Sequence, residues 1–166
     1  MTTEKNLWLR VKKNLPHDCY ATRIENRMGG GVPDVYIIWN GLAFWIELKI
    51  TKDNKIRLSS NQIAWNTKHS LNFGLSYILV QRVGEGSLFL FRGDDARELA
   101  TNGLNTEPII KVSGSGFGDI FGAIRESGIK HLETVIVAHR QSTLNNDSRM
   151  LDIKKEAIKP LPLIDL

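Results

Sequence analysis

Apolar positions at helical spacing mark the start of the chain, between residues 4 and 15, and Pro16 follows directly. The stripe consists of Leu7, Trp8, Val11 and Leu15. Thr2 or Thr3 is a suitable N-cap, because a threonine hydroxyl accepts a hydrogen bond from an unpaired amide of the first turn. We therefore predict a first helix over this segment and, after it, a strand over residues 19–27.

The next segment, residues 32–50 (VPDVYIIWNGLAFWIELKI), consists of two β-rich runs on either side of Asn40-Gly41. Both central positions of a type I′ turn need a positive φ, which asparagine and glycine tolerate, so this dipeptide is a strong hairpin signal. A two-residue turn pairs Trp39 with Leu42, and the residue numbers of every further pair then sum to 81.

Helical and extended patterns alternate again after the hairpin. Residues 60–73 predict an amphipathic helix that Gly74 ends. Strands are predicted over residues 76–83 and 87–93, and a short helix over residues 94–103. The order α-β-β-β-α-β, with one further strand after it, predicts an α/β protein with a mixed central sheet.

The periodicity weakens in the C-terminal part of the chain. We predict a core over residues 1–103, a small appendage over residues 104–140, and a tail over residues 141–166 that is partly extended or ordered by a partner. Within the appendage, the run TVIVA at residues 134–138 favours a short strand.

Composition narrows the class of protein only modestly. A hydrophobic fraction of 42% and a charged fraction of 24% are typical of a globular domain, and the net charge of +4 permits a nucleic-acid partner without requiring one. Cys19 is the single cysteine, which excludes an internal disulfide and a cysteine-based zinc cluster. The chain has neither a membrane-spanning apolar run nor an apolar leader at its start, so we expect a soluble cytoplasmic protein without a membrane partner.

The hairpin register brings together side chains that carry chemistry. Asp34 lies opposite Glu47, and Lys49, two residues further on, shares their face. Two opposed carboxylates destabilise a strand pair unless a cation lies between them, and Mg²⁺ or Mn²⁺ prefers such oxygen ligands, to which the backbone carbonyl of Leu48 adds another. Lys49 is then placed to orient or deprotonate an attacking water, or to offset charge on a phosphate.

A structural explanation of the same residues remains open. In it, Asp34 caps a strand, and Glu47 with Lys49 forms a surface ion pair. The runs VYIIW and LAFWI are apolar on both faces, as in a buried central strand pair, which makes a solvated charge cluster less natural there.

The pattern Pro33-Asp34, twelve intervening residues and then Glu47-Leu48-Lys49, set between two predicted helices, resembles the signature of the PD-(D/E)xK nuclease superfamily. The stretch RIENRMGGGVPDVYIIWNGLAFWIELK with the following LSSNQIAW is similar to the VRR-NUC and Holliday-junction-resolvase-like branch, whose members often come from phages. The resemblance implies a restriction-endonuclease-like core, dependence on a divalent metal and cleavage of DNA. It makes Asp34 and Glu47 metal ligands and Lys49 the catalytic lysine.

Three further polar residues are candidates for the same site, each with a plain structural alternative. Glu4 begins the first helix, where an acid either reaches the metal or stabilises the helix dipole. Glu25 is similar to an acidic strand position of this branch, or is an ordinary edge charge. Gln62 matches the glutamine that follows the motif lysine in resolvase-like relatives. With Ser59 it also forms a capping box, and we expect that one side chain does not fill both roles.

Basic residues around the hairpin are candidates for sequence-independent contacts with DNA phosphates. They are Arg23, Arg27, Lys52, Lys55 and Arg57. A solvated basic loop is the alternative for each of them. We expect the tryptophans to belong to the core rather than to stack on bases; these are Trp8, Trp39, Trp45 and Trp65.

Together these observations predict a metal-dependent endonuclease that cleaves branched DNA such as a Holliday junction. A junction has two symmetry-related strands, so we expect a homodimer. A non-selective or flap-type nuclease of the same fold and a nucleic-acid-binding module without catalysis are the alternatives.

Overall fold

A computed structural model describes residues 3–24 and 30–157. Its helices and strands, in chain order, are α1 Glu4–Lys13, β1 Tyr20–Arg23, β2 Val35–Trp39, β3 Leu42–Thr51, α2 Ser60–Leu71, β4 Ser76–Arg82, β5 Leu88–Arg92, α3 Ala96–Asn102, β6 Ile110–Val112 and α4 Phe117–Ala157. The six strands form one sheet in the order β1-β2-β3-β4-β5-β6, in which β3 and β4 are parallel and the other neighbours antiparallel. The predicted α-β-β-β-α-β order and the mixed sheet are confirmed.

The hairpin of β2 and β3 forms as the sequence predicted. Asn40 and Gly41 have φ values of 49° and 76°, so both turn positions are left-handed. The ladder runs from Trp39 opposite Leu42 to Val35 opposite Ile46, which is the register in which each pair sums to 81.

Apolar side chains cover the two faces of the sheet in different ways. On one face, buried residues of the central strands pack against α1 and against the first turns of α4, through residues such as Leu7, Val11 and Ile120. On the other face, strands β4 and β5 pack against α3 and α2, with Leu99 and Ile63 at the contact. Glu47 and Lys49 belong to this second face, because they alternate with the buried Ile46 and Leu48 of the first.

The region after residue 103 differs from its prediction. The short strand β6 joins the sheet, and residues 117–124 of α4 contribute to the first core, although both were assigned to an appendage. The strand expected over residues 134–138 does not form, and residues 141–157 are helical rather than extended, because α4 continues through both. The ordering of the tail by a partner stays a prediction. The β-branched run is too short to interrupt a helix whose flanks are rich in helix formers and which contains no proline.

The chain divides into two compact units, one ending at Gly128 and the other beginning at Ile129. The first holds the sheet and its helices. The described part of the second is helical, with Ile129, Leu132 and Ile136 about half exposed. No helix in the described ranges has both the length and the apolar character that crossing a membrane requires.

Candidate active site

The open end of the β2–β3 hairpin brings Asp34, Glu47 and Lys49 together. Asp34 immediately precedes β2, and the backbone N–H of Leu48 donates a hydrogen bond of 2.9 Å to its Oδ2. The Nζ of Lys49 lies 2.8 Å from Oε1 of Glu47. The predicted cluster of two carboxylates and one amine is therefore present, and Asp34 is held in it by the backbone of the opposite strand.

Glu47 is the most unusual side chain of this cluster, because its carboxylate is only 2% exposed. Its Oε1 accepts a hydrogen bond from Gln62 and contacts Lys49, whereas its Oε2 is buried and has no hydrogen-bond partner among the described residues. Burial raises the pKa of Glu47 to about 7, the Lys49 charge opposes this rise, and the neighbouring Asp34 adds to it. The alternative of a surface ion pair does not fit a carboxylate that is removed from solvent.

Gln62 makes the hydrogen bonds of the capping box and also contacts Glu47, two arrangements that we expected to exclude each other. Its Oε1 accepts the backbone N–H of Ser59 at 2.9 Å, and the Ser59 hydroxyl accepts the Gln62 N–H, which completes the capping box of α2. Its Nε2 donates to Oε1 of Glu47. The expectation was wrong because an amide has an acceptor end and a donor end, and the start of α2 points them in different directions.

Glu4 approaches the cluster from the other side of the sheet. Its Oε1 lies 3.9 Å from Nζ of Lys49, and its side chain is 48% exposed. Burial raises the pKa of this carboxyl, while the charges of Lys49 and Arg23 act in the opposite direction. The first turn of α1, capped by the Thr3 side chain, thus places an acid at the rim of the site.

The oxygen atoms of this site suit a hard divalent cation. The described residues contain no group of three or more His, Cys, Asp or Glu side chains arranged around a metal position. Mg²⁺ needs only one or two protein carboxylates, since water and substrate oxygens complete its shell. Oε2 of Glu47 is free for a cation, and Asp34 is held beside it. The N–H and the carbonyl of a strand residue face the same side, so the carbonyl of Leu48 points toward Asp34 as the Leu48 N–H does. The residues therefore fit the predicted metal.

The basic candidates lie around the site without touching its carboxylates. Lys52, Lys55 and Arg57, which we name the basic loop, are exposed between β3 and α2. The loop is held at its base, because Thr51 Oγ1 donates to the Lys55 carbonyl at 2.8 Å and the Lys55 N–H donates to Asp53. Arg23 ends β1 near Glu4. The two remaining candidates, Glu25 and Arg27, lie outside the described residues.

Aromatic rings beside the carboxylates form a feature that sequence reasoning did not assign to the site. Tyr36 and Trp45 are a cross-strand pair with ring centroids 4.9 Å apart. Trp65 of α2 lies edge-on to Trp45 at 5.6 Å and stacks on His69 at 4.4 Å. Trp8 is buried in the core as expected, but Trp45 and Trp65 are only half-buried. The hairpin register could have indicated this feature, because it places Tyr36 opposite Trp45 on the same face as Asp34 and Glu47, one row further along.

Comparison with known proteins gives a limited result. No protein-family model matches the chain, and no curated protein sequence matches it. Among solved structures, the chain is similar to the Holliday junction resolvase Hjc of Archaeoglobus fulgidus, an archaeal hyperthermophile, with a TM-score of 0.41 and 18% sequence identity. The match covers 54% of this chain and 69% of the resolvase chain.

Proposed function

We propose that this protein is a divalent-metal-dependent endonuclease that hydrolyses DNA phosphodiester bonds. The observation that carries the proposal is the buried Oε2 of Glu47, which has no hydrogen-bond partner among the described residues and lies in a cluster with Asp34 and Lys49. Burying an ionised oxygen without a partner is costly, and the large majority of buried polar atoms in folded proteins are paired. A divalent cation bound by Glu47, with Asp34 beside it, would give this oxygen a partner.

The surrounding residues support hydrolysis rather than simple metal storage. Gln62 and Lys49 occupy Oε1 of Glu47, which leaves Oε2 to face the metal position. A divalent cation bound there would lower the pKa of a water and polarise a phosphoryl oxygen. The ammonium group of Lys49 is placed to orient the attacking water or to balance charge that develops on the phosphate.

The finer proposal is selectivity for branched DNA, such as a Holliday junction, by a homodimer. It is supported by the resemblance of residues 4–92 to the resolvase-like branch and by the two-fold symmetry that paired cuts on a junction need. The exposed basic loop beside β3 offers phosphate contacts next to the cut.

Cleavage of four labelled DNA substrates in Mg²⁺ tests both levels of the proposal. The substrates are a linear duplex, a single strand, a flapped duplex and a four-way junction, and the matched control is the Asp34→Asn protein, which preserves shape but removes the charge. We expect the wild-type protein to cut the junction at symmetric positions and the variant to bind it without cutting. Equal cutting of the linear duplex would replace the resolvase by a non-selective nuclease, and binding without any cutting would leave a nucleic-acid-binding module.

A further inference from the structure

The residue pairs of the hairpin form successive rows on the face that carries Glu47. The carboxylate row, Asp34 and Glu47, is followed by the aromatic row, Tyr36 opposite Trp45, and then by Ile38 opposite Ala43. One row is two residues along each strand, or about 6.8 Å. Aromatic surface therefore begins one row from the proposed cleavage site.

This surface continues onto α2 and is accessible along its length. We name the rings of Tyr36, Trp45, Trp65 and His69 the aromatic floor. All four are half-buried, and the neighbouring Ile38 is 41% exposed. None of the four is a member of either apolar core, so their packing role does not explain why they are aromatic.

Polar groups flank the aromatic floor in a way that suits a nucleotide. Its far end opens into a cleft of about 340 Å³ lined by Trp65, Lys68, His69 and Asn72. A lysine thus lies beyond each end of the floor, Lys49 past the carboxylates and Lys68 at the cleft. Burial lowers the pKa of His69, which favours the uncharged ring for stacking.

We propose that the aromatic floor stacks an unpaired nucleobase next to the phosphate that is cut. This inference rests on the proposed nuclease function and extends it, because it selects DNA with an unstacked base at the cleavage position. Aromatic rings stack on any base, whereas cations at both ends meet the flanking phosphates. A phosphate at the carboxylates places the base of the adjacent nucleotide over the next row of the hairpin. A second protein chain bound to the aromatic floor would not explain the lysines at both of its ends.

Equilibrium binding in EDTA tests the aromatic floor whether or not the protein cleaves DNA. The probes are a fluorescently labelled oligothymidylate and an abasic strand of equal length, and the proteins are wild type, Tyr36→Leu, Tyr36→Phe and Trp65→Leu. The matched control is Leu71→Ala, on the same helix and 76% exposed. We expect wild type to prefer the base-bearing strand by about tenfold, both leucine variants to lose this preference, and the phenylalanine and control variants to keep it.

Affinity for the abasic strand shows whether each variant is folded, because phosphate contacts are unaffected by loss of a ring. Equal affinity of wild type for the two strands would overturn the proposal. So would a leucine variant that retains the preference. Sedimentation provides a further check, since conversion of a dimer to a monomer by Tyr36→Leu would assign the aromatic floor to a second copy of the chain. Junction cleavage that survives in any of these cases would leave the nuclease proposal intact.

Discussion

Replacing Glu47 by glutamine should stabilise the metal-free protein above neutral pH. The pKa of Glu47 is raised from 4.5 to about 7, mainly by burial, and one pKa unit corresponds to about 1.4 kcal/mol. The folded state therefore binds more protons than the unfolded state between these two values. The free energy of unfolding of wild type should fall by up to about 3 kcal/mol as the pH rises from about 4.5 to about 7, and then level off. Glu47→Gln keeps the shape of the side chain and lacks this fall.

Chemical denaturation in EDTA at several pH values between 4.5 and 8 measures this effect. Groups away from the site titrate equally in the two proteins, so the difference between the wild-type and Glu47→Gln curves reports Glu47 together with the charges coupled to it, those of Lys49, Asp34 and Glu4. We expect the variant to gain stability relative to wild type as the pH rises, with the change centred between 4.5 and 7. Parallel curves over the whole range would refute the reasoning, because they would mean that the carboxylate ionises as it does in water.

Three further predictions concern the site and the basic loop. Lys49→Ala should lower the single-turnover cleavage rate by roughly 10²-fold with little change in DNA affinity. A variant that binds DNA poorly but cleaves it at the normal rate at saturating protein would reassign Lys49 to phosphate contact. Gln62→Glu should retain the capping box but lose most of the single-turnover cleavage activity, since it replaces the hydrogen-bond donor to Glu47 by a second carboxylate. Full activity would make Gln62 purely structural. Each alanine substitution in the basic loop should reduce the slope of the logarithm of the binding constant against the logarithm of the salt concentration by about one unit. Titrations with DNA at several salt concentrations measure this slope. An unchanged slope would place the loop away from DNA.

The hairpin and its cluster could be predicted because their determinants are local. Asn40-Gly41 sets a two-residue turn, and that turn alone determines which residues of β2 and β3 oppose each other. The proximity of Asp34 to Glu47 follows from counting along the two strands. The contact of Asp34 with the backbone of Leu48 needed the structure, because Asp34 lies just outside the strand.

Features that depend on how distant elements pack could not be predicted in this way. The two roles of Gln62 depend on where the start of α2 lies above β3. The partial exposure of Trp45 and Trp65 depends on how much of the sheet α2 covers, and hydrophobicity alone assigns a tryptophan to the core. The strand expected at residues 134–138 failed because intrinsic β-propensity is weak compared with the continuity of a long helix.

The proposed function requires that Asp34 and Glu47 hold a divalent metal ion and that the metal-bound protein hydrolyses DNA. Single-turnover cleavage of a labelled four-way junction by wild type and by Glu47→Gln, in Mg²⁺ and in EDTA, tests it most directly, because the variant is expected to be folded and to bind DNA. We predict cleavage by wild type in Mg²⁺, none in EDTA, and none by the variant under either condition. Cleavage by wild type in EDTA, or cleavage by Glu47→Gln at the wild-type rate, would contradict the claim.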